Sequence, residues 1–77
     1  MFYQWHAVGP DNARPPAASG IMPGEDERPA QRAAEAFLRD GRAFAAVVAE
    51  CWPGGRVWWG KRNTSGGISW YPCAPGG

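Results

Sequence analysis

Residues 26–41 read DERPAQRAAEAFLRDG, and they carry the helical pattern from which the fold class is inferred. Apolar side chains recur at the three- and four-residue spacing of one helical face, with charged and polar side chains on the other face. Asp26 can accept hydrogen bonds from the first-turn N–H groups, and Gly41 suits the left-handed residue that ends a helix. The pattern predicts a helix from about Glu27 to Asp40. Its apolar face comprises Ala30, Ala33, Ala34, Phe37 and Leu38.

The segments around this helix have the composition of β-strands, bounded by Gly, Pro or Asn turn signals. The Pro- and Gly-rich residues 9–25 are expected to be a loop, and residues 72–77 a loose C-terminal tail. The chain is therefore expected to be one small α+β domain with the order β-α-β-β-β. An antiparallel meander joins the first strand, and the helix packs on one face. The strands are predicted at residues 2–8, 43–52, 56–62 and 68–71.

One helix is too narrow to cover both faces of such a sheet, so the other face is left to water or a partner. Residues 56–62 read RVWWGKR, and alternation along a strand turns Trp58 and Trp59 to opposite faces. One of them is therefore expected in the core and the other on the open face, beside one or two basic side chains. The predicted binding residues are Arg56, Trp58, Trp59, Lys61, Arg62 and Trp70.

Exposed Trp, Tyr and Arg side chains are typical of protein interfaces. We therefore expect a small non-enzymatic module that binds another macromolecule, as a homodimer or with a different protein. The alternative is single-stranded nucleic acid, because bases stack on aromatic rings while cations offset phosphates. Residues 51–77 contain three basic residues and no acid. Three cations give a salt slope of only about −2, which corresponds to weak binding by a monomer.

The sequence contains no recognisable catalytic constellation. His6 is the only histidine, and a structural role is the favoured interpretation, although Cys51 or Cys73 could pair with it in space. Helix capping accounts for the carboxylates of residues 25–27. No glycine-rich phosphate loop or metal-ligand spacing is present. We expect no enzymatic activity, no cofactor and no metal.

Cys51 and Cys73 are the two cysteines, and a bridge between them would contribute about 3 kcal/mol in the loop-entropy model. The sequence has no segment with the apolar length of a membrane span and no signal-peptide pattern, so a cytoplasmic location is expected. Thiols stay reduced in that compartment. Ala, Gly, Pro and Arg form about half of the chain, as in proteins from GC-rich genomes. This composition favours an actinobacterial host, its phage or a mobile element.

The chain ends in Pro75-Gly76-Gly77. A terminal diglycine on a small domain of strands and one helix resembles the ubiquitin-like sulfur carriers. The resemblance implies that Gly77 would be adenylated and thiocarboxylated by an activating enzyme, through whose narrow channel a glycine tail can thread. The chain departs from the β-grasp pattern of that family, because no second strand is predicted before the helix and Pro72 and Pro75 interrupt the tail.

Overall fold

The computed structural model describes residues 1–9 and 18–73 of the chain. In these ranges the chain forms an antiparallel five-stranded sheet, in the order β2-β1-β3-β4-β5, and a single helix. This arrangement confirms the predicted α+β class with one helix on one face. The elements are β1 Phe2–Val8, β2 Ala18–Pro23, α1 Arg28–Arg39, β3 Ala45–Glu50, β4 Val57–Arg62 and β5 Ile68–Pro72.

Strand β2 corrects the prediction that residues 9–25 form a loop; residues 10–17 of that segment lie outside the described residues. It pairs antiparallel with β1 at the edge of the sheet. Gly and Pro are unfavourable in strands, so the composition of this segment does not predict one, but the structure accounts for both residues. The Trp5 indole lies on Gly20, where a Cβ would stand 2.7 Å from Trp5 Nε1. Pro23 ends an edge strand, where a missing N–H is tolerated.

The other predicted elements are present with small shifts of their ends. The segment after the helix is a strand, as predicted, and it occupies Ala45–Glu50. Asp26 Oδ1 accepts a hydrogen bond of 3.0 Å from the N–H of Arg28, and Gly41 has a φ of 77°. Pro72 belongs to β5 instead of the predicted tail, and Cys73 N–H still donates to the carbonyl of Val57 at 2.8 Å. Residues 74–77 lie outside the described part of the chain.

The core lies between α1 and one face of the sheet. The helix packs mainly over β1 and β3. Its small buried side chains allow it to approach these strands closely. Leu38 and Val48 are the largest side chains that are completely buried. The core is therefore a thin layer, and aromatic rings close its margins. The fully buried residues of this layer are Ala7, Ala30, Ala34, Leu38, Ala46 and Val48.

Trp70 closes the margin on the β5 side. Its ring lies on Gly60 of the neighbouring strand, where a Cβ would stand 2.8 Å from the indole. Its Nε1 donates a hydrogen bond of 2.8 Å to Glu35 Oε2, which joins β5 to the helix. Buried indole N–H groups ordinarily have such a partner. This tryptophan is thereby fixed by packing on one side and a carboxylate on the other.

Candidate interaction surface

The face of the sheet turned away from α1 is called the open face. Alternation along the paired strands assigns its side chains, because the neighbouring positions are those buried under the helix. Within residues 1–9 and 18–73, no helix covers it. The open face comprises Phe2, Gln4, His6, Val8, Ser19, Ile21, Pro23, Ala45, Val47, Ala49, Val57, Trp59, Lys61, Ser69 and Tyr71.

A middle row of side chains crosses all five strands of the open face. It consists of Ser19, His6, Val47, Trp59 and Tyr71, each paired with the next across the sheet. The Trp59 and Tyr71 ring centroids are 5.0 Å apart and the planes are inclined by 32°. Trp59 is 36% exposed and Tyr71 41% exposed. The row thus ends in a cross-strand aromatic pair that is accessible from solution.

Apolar side chains continue on the opposite side of the open face. Phe2 is 56% exposed and Ile21 is 64% exposed. Between these and the aromatic pair, β3 contributes only Ala45, Val47 and Ala49. Large apolar side chains that share an uncovered face are characteristic of docking surfaces, whereas single exposed ones are ordinary. The open face is therefore an apolar surface with larger side chains on both flanks of a flat centre.

Charge is sparse on this surface. In the described ranges, Lys61 is its only Lys, Arg, Asp or Glu side chain. Lys61 Nζ lies 5.5 Å from the centroid of the Trp59 ring, within range of a cation–π contact. The face therefore carries one positive charge at its margin and no carboxylate among the described residues.

His6 is the β1 member of the middle row, between the members from β2 and β3. Its cross-strand neighbours are Ser19 and Val47. The Nδ1 atom is buried and has no hydrogen-bond partner among the described residues. His6 is therefore part of the open face instead of the core under the helix. A buried nitrogen without a partner is uncommon and calls for a physical explanation.

The six predicted binding residues are divided between the two faces. Trp59 and Lys61 lie on the open face, and Trp58 faces the helix, so the predicted split of the two tryptophans is confirmed. Strand pairing also places Arg62 and Trp70 on the helix side. The six side chains therefore do not form one surface. Sequence reasoning missed Phe2, Ile21 and Tyr71, since the alternation that identifies them requires the strand register.

The polar groups of Arg56 contact other residues of the same chain. Its N–H donates to Glu50 Oε1 at 2.6 Å, its Nη2 donates to Glu50 Oε2 at 3.1 Å, and its guanidinium lies 5.1 Å from the Trp58 ring centroid. The backbone and side-chain hydrogen bonds from Arg56 lower the pKa of the Glu50 carboxyl. The side-chain hydrogen bond to Glu50, followed by the charge of that carboxylate, raises the pKa of Arg56. Burial, followed by the Glu50 charge, raises the pKa of the Tyr3 phenol. Arg56 thus fastens the β3–β4 turn.

The two cysteines are free and exposed. Cys51 N–H bonds to Phe2 beside β3, and Cys73 N–H bonds to Val57, so the two residues lie two strands apart at the same end of the sheet. Two strand spacings amount to about 9.6 Å, beyond the roughly 7 Å limit between Cα atoms for a disulfide. An intramolecular bridge therefore does not fit this fold. Neither cysteine lies next to His6 in the strand pairing, so the paired Cys-His site is not formed.

The described residues contain no cluster of three His, Cys, Asp or Glu side chains that could hold a metal ion. Among the described residues, no helix has the length and the apolar character needed to cross a membrane, since α1 has 12 residues. Gly76 and Gly77, which carry the sulfur-carrier resemblance, lie outside the described residues. No family model, curated protein or solved structure matches this chain.

Proposed function

We propose that this protein is a small non-enzymatic interaction module that binds another protein through the open face, in the first place a second copy of itself. The observation that carries the proposal is the apolar face of a five-stranded sheet with Phe2, Ile21, Trp59 and Tyr71 accessible on its flanks. Aromatic side chains fixed on a rigid sheet lose little conformational entropy on docking.

The dimensions of the open face set the strength of the association. Five strands and three rows of side chains cover about 24 by 20 Å, or roughly 480 Å² on each copy. Two such faces bury about 1,000 Å², the lower limit for a specific interface. The homodimer is therefore expected to be weak and dependent on concentration, unless the partner also contacts the margins of the sheet.

Single-stranded nucleic acid is the second candidate, because His6, Trp59 and Tyr71 place three rings in one row. Bases can stack on such rings. The charge argues for protein instead, since Lys61 is the only lysine or arginine of the open face in the described ranges. One cation corresponds to a salt slope of only about −0.7, which is too small to hold a polyanion.

Sedimentation equilibrium tests the proposal with two substitutions of the same residue type. Trp59→Ser removes the exposed indole of the open face, and Trp52→Ser removes another exposed indole in the turn after β3, outside that face. Wild type is expected to associate at concentrations up to about 1 mM. Trp59→Ser is expected to weaken association at least about tenfold, while Trp52→Ser leaves it within about twofold.

A strictly monomeric wild type, or equal losses in the two variants, would contradict dimerisation through the open face. Fluorescence titration with a single-stranded oligonucleotide at low salt distinguishes nucleic-acid binding from protein binding. Quenching that depends on Trp59 and disappears with added salt would favour nucleic acid.

A further inference from the structure

On the basis of the proposed function, we infer that two copies dock about a two-fold axis parallel to the strands, with β3 of one copy facing β3 of the other. The observation that carries this orientation is the uneven height of the open face. Its middle strand, β3, contributes only Ala45, Val47 and Ala49, whereas large exposed side chains lie on both flanks. The occupant of the open face is therefore a second copy in one defined orientation.

The two flanks of the open face differ in height along the middle row. The β4–β5 flank carries Trp59 and Tyr71, whose ring centroids are 5.0 Å apart and whose side chains are exposed. The β1–β2 flank carries the half-buried His6 and the small Ser19. A two-fold axis above β3 turns the aromatic pair of each copy onto the lower flank of the other. The projecting rings then fill a depression, and the two β3 strands can approach closely.

A two-fold axis perpendicular to the strands gives the competing face-to-face arrangement. It places each flank on its own twin, so that Trp59 and Tyr71 meet the same two rings of the other copy. The stacked rings would hold the copies apart above β3, and the small side chains of that strand would lose their contacts across the interface. The heights of the side chains therefore favour the axis parallel to the strands.

The two cysteines lie at different distances from these axes. Cys51 continues β3 in register, since its N–H bonds to the carbonyl of Phe2 at 3.0 Å, and Cys73 extends β5. For sheets about 10 Å apart that cross at about 30°, the axis parallel to the strands separates the two Cys51 Cα atoms by about 12 Å and the two Cys73 Cα atoms by about 20 Å. The perpendicular axis reverses this order, because it separates the two Cys51 Cα atoms by more than about 25 Å.

Cross-linking of the full chain with an ethylene-bridged bismaleimide tests the arrangement. Cys73→Ser keeps Cys51, and Cys51→Ser keeps Cys73; both thiols are exposed, and a monofunctional maleimide checks that they react equally fast. At a concentration where wild type associates, Cys73→Ser is expected to form at least about fivefold more covalent dimer than Cys51→Ser. Adding Trp59→Ser to Cys73→Ser should reduce that yield at least about fivefold. In wild type, mass spectrometry should identify Cys51 joined to Cys51 as the main product, which can only arise between two copies.

The possible results distinguish the orientation from the docking surface itself. If wild type associates through Trp59 but the covalent dimer forms mainly through Cys73, equally through both cysteines or through neither, the orientation is wrong and the docking surface stands. A Cys51 cross-link that does not depend on Trp59 also overturns the orientation, because it would report random collisions. If sedimentation equilibrium shows wild type to be strictly monomeric, the docking surface fails and the orientation fails with it.

Discussion

The two faces of the sheet are built from the same strands, yet they use their aromatic residues differently. On the helix side, Trp70 is held by Gly60 and Glu35, and the Trp58 ring contacts the Arg56 guanidinium. On the open face, Trp59 contacts Tyr71 and both remain accessible. Substitutions on the covered face should therefore change the free energy of unfolding, whereas those on the open face should change association.

The largest expected effect comes from Leu38→Ala on the covered face. Leu38 is completely buried in a thin core, and Leu→Ala substitutions in cores cost about 2–5 kcal/mol. The free energy of unfolding of a small domain is only a few kcal/mol, so urea denaturation should show that the Leu38→Ala chain is largely unfolded. The matched open-face variant is Ile21→Ala, which should remain within about 0.5 kcal/mol of wild type. Equal losses in the two variants would remove the distinction between the faces.

Gly60→Ala is expected to lower the free energy of unfolding by about 1–3 kcal/mol, less than Leu38→Ala does. The new Cβ would stand 2.8 Å from the Trp70 ring and displace it. Displacement should also break the Trp70–Glu35 hydrogen bond and change the tryptophan emission. The control is Gly67→Ala, where the nearest atom to a Cβ is the Asn63 side chain at 3.4 Å. Denaturation of both variants by urea measures the difference. An unaltered Gly60→Ala protein would mean that Trp70 does not close the core margin.

Acidification tests the Glu50–Arg56 contact on the helix side. The pKa of Glu50 is lowered in the folded chain, so its ionised form contributes stability above its unfolded value, near pH 4.5. That contribution is lost as the pH falls through the folded pKa. Glu50→Gln should therefore be less stable than wild type at pH 7, and the difference should shrink below about pH 4.5. Urea midpoints measured across this range provide the comparison. A constant difference would indicate that the carboxylate charge has no part in fastening the turn.

The smallest expected effect belongs to Lys61→Met on the open face. Lys61 is exposed and makes a cation–π contact with Trp59, so unfolding should change by no more than about 0.5 kcal/mol. Arg62→Met, on the other side of the same strand, is its matched control. If the open face binds protein, dimer dissociation should change by less than about threefold in both variants. Selective loss of oligonucleotide quenching in Lys61→Met would favour nucleic acid.

The sequence identified the helix, four of the five strands found in the described ranges and the opposed tryptophans, since each follows from local periodicity. Strand β2 was missed because Gly20 is explained only by the Trp5 ring that lies on it. The membership of the open face was only partly predictable. Alternation separates Trp58 from Trp59, but the position of Trp70 and Tyr71 depends on the turn that Asn63 organises through three hydrogen bonds to its Oδ1. That register is not encoded in strand composition.

The prolines at the ends of the two outer strands have a consequence for how this sheet can grow. Pro23 ends β2 and Pro72 ends β5, and proline has no N–H to offer an added strand. Both borders are thereby discouraged from lateral extension, which is the route that leads from soluble sheets to fibrils. Assembly directed to a broad side instead of a border can terminate at a closed pair.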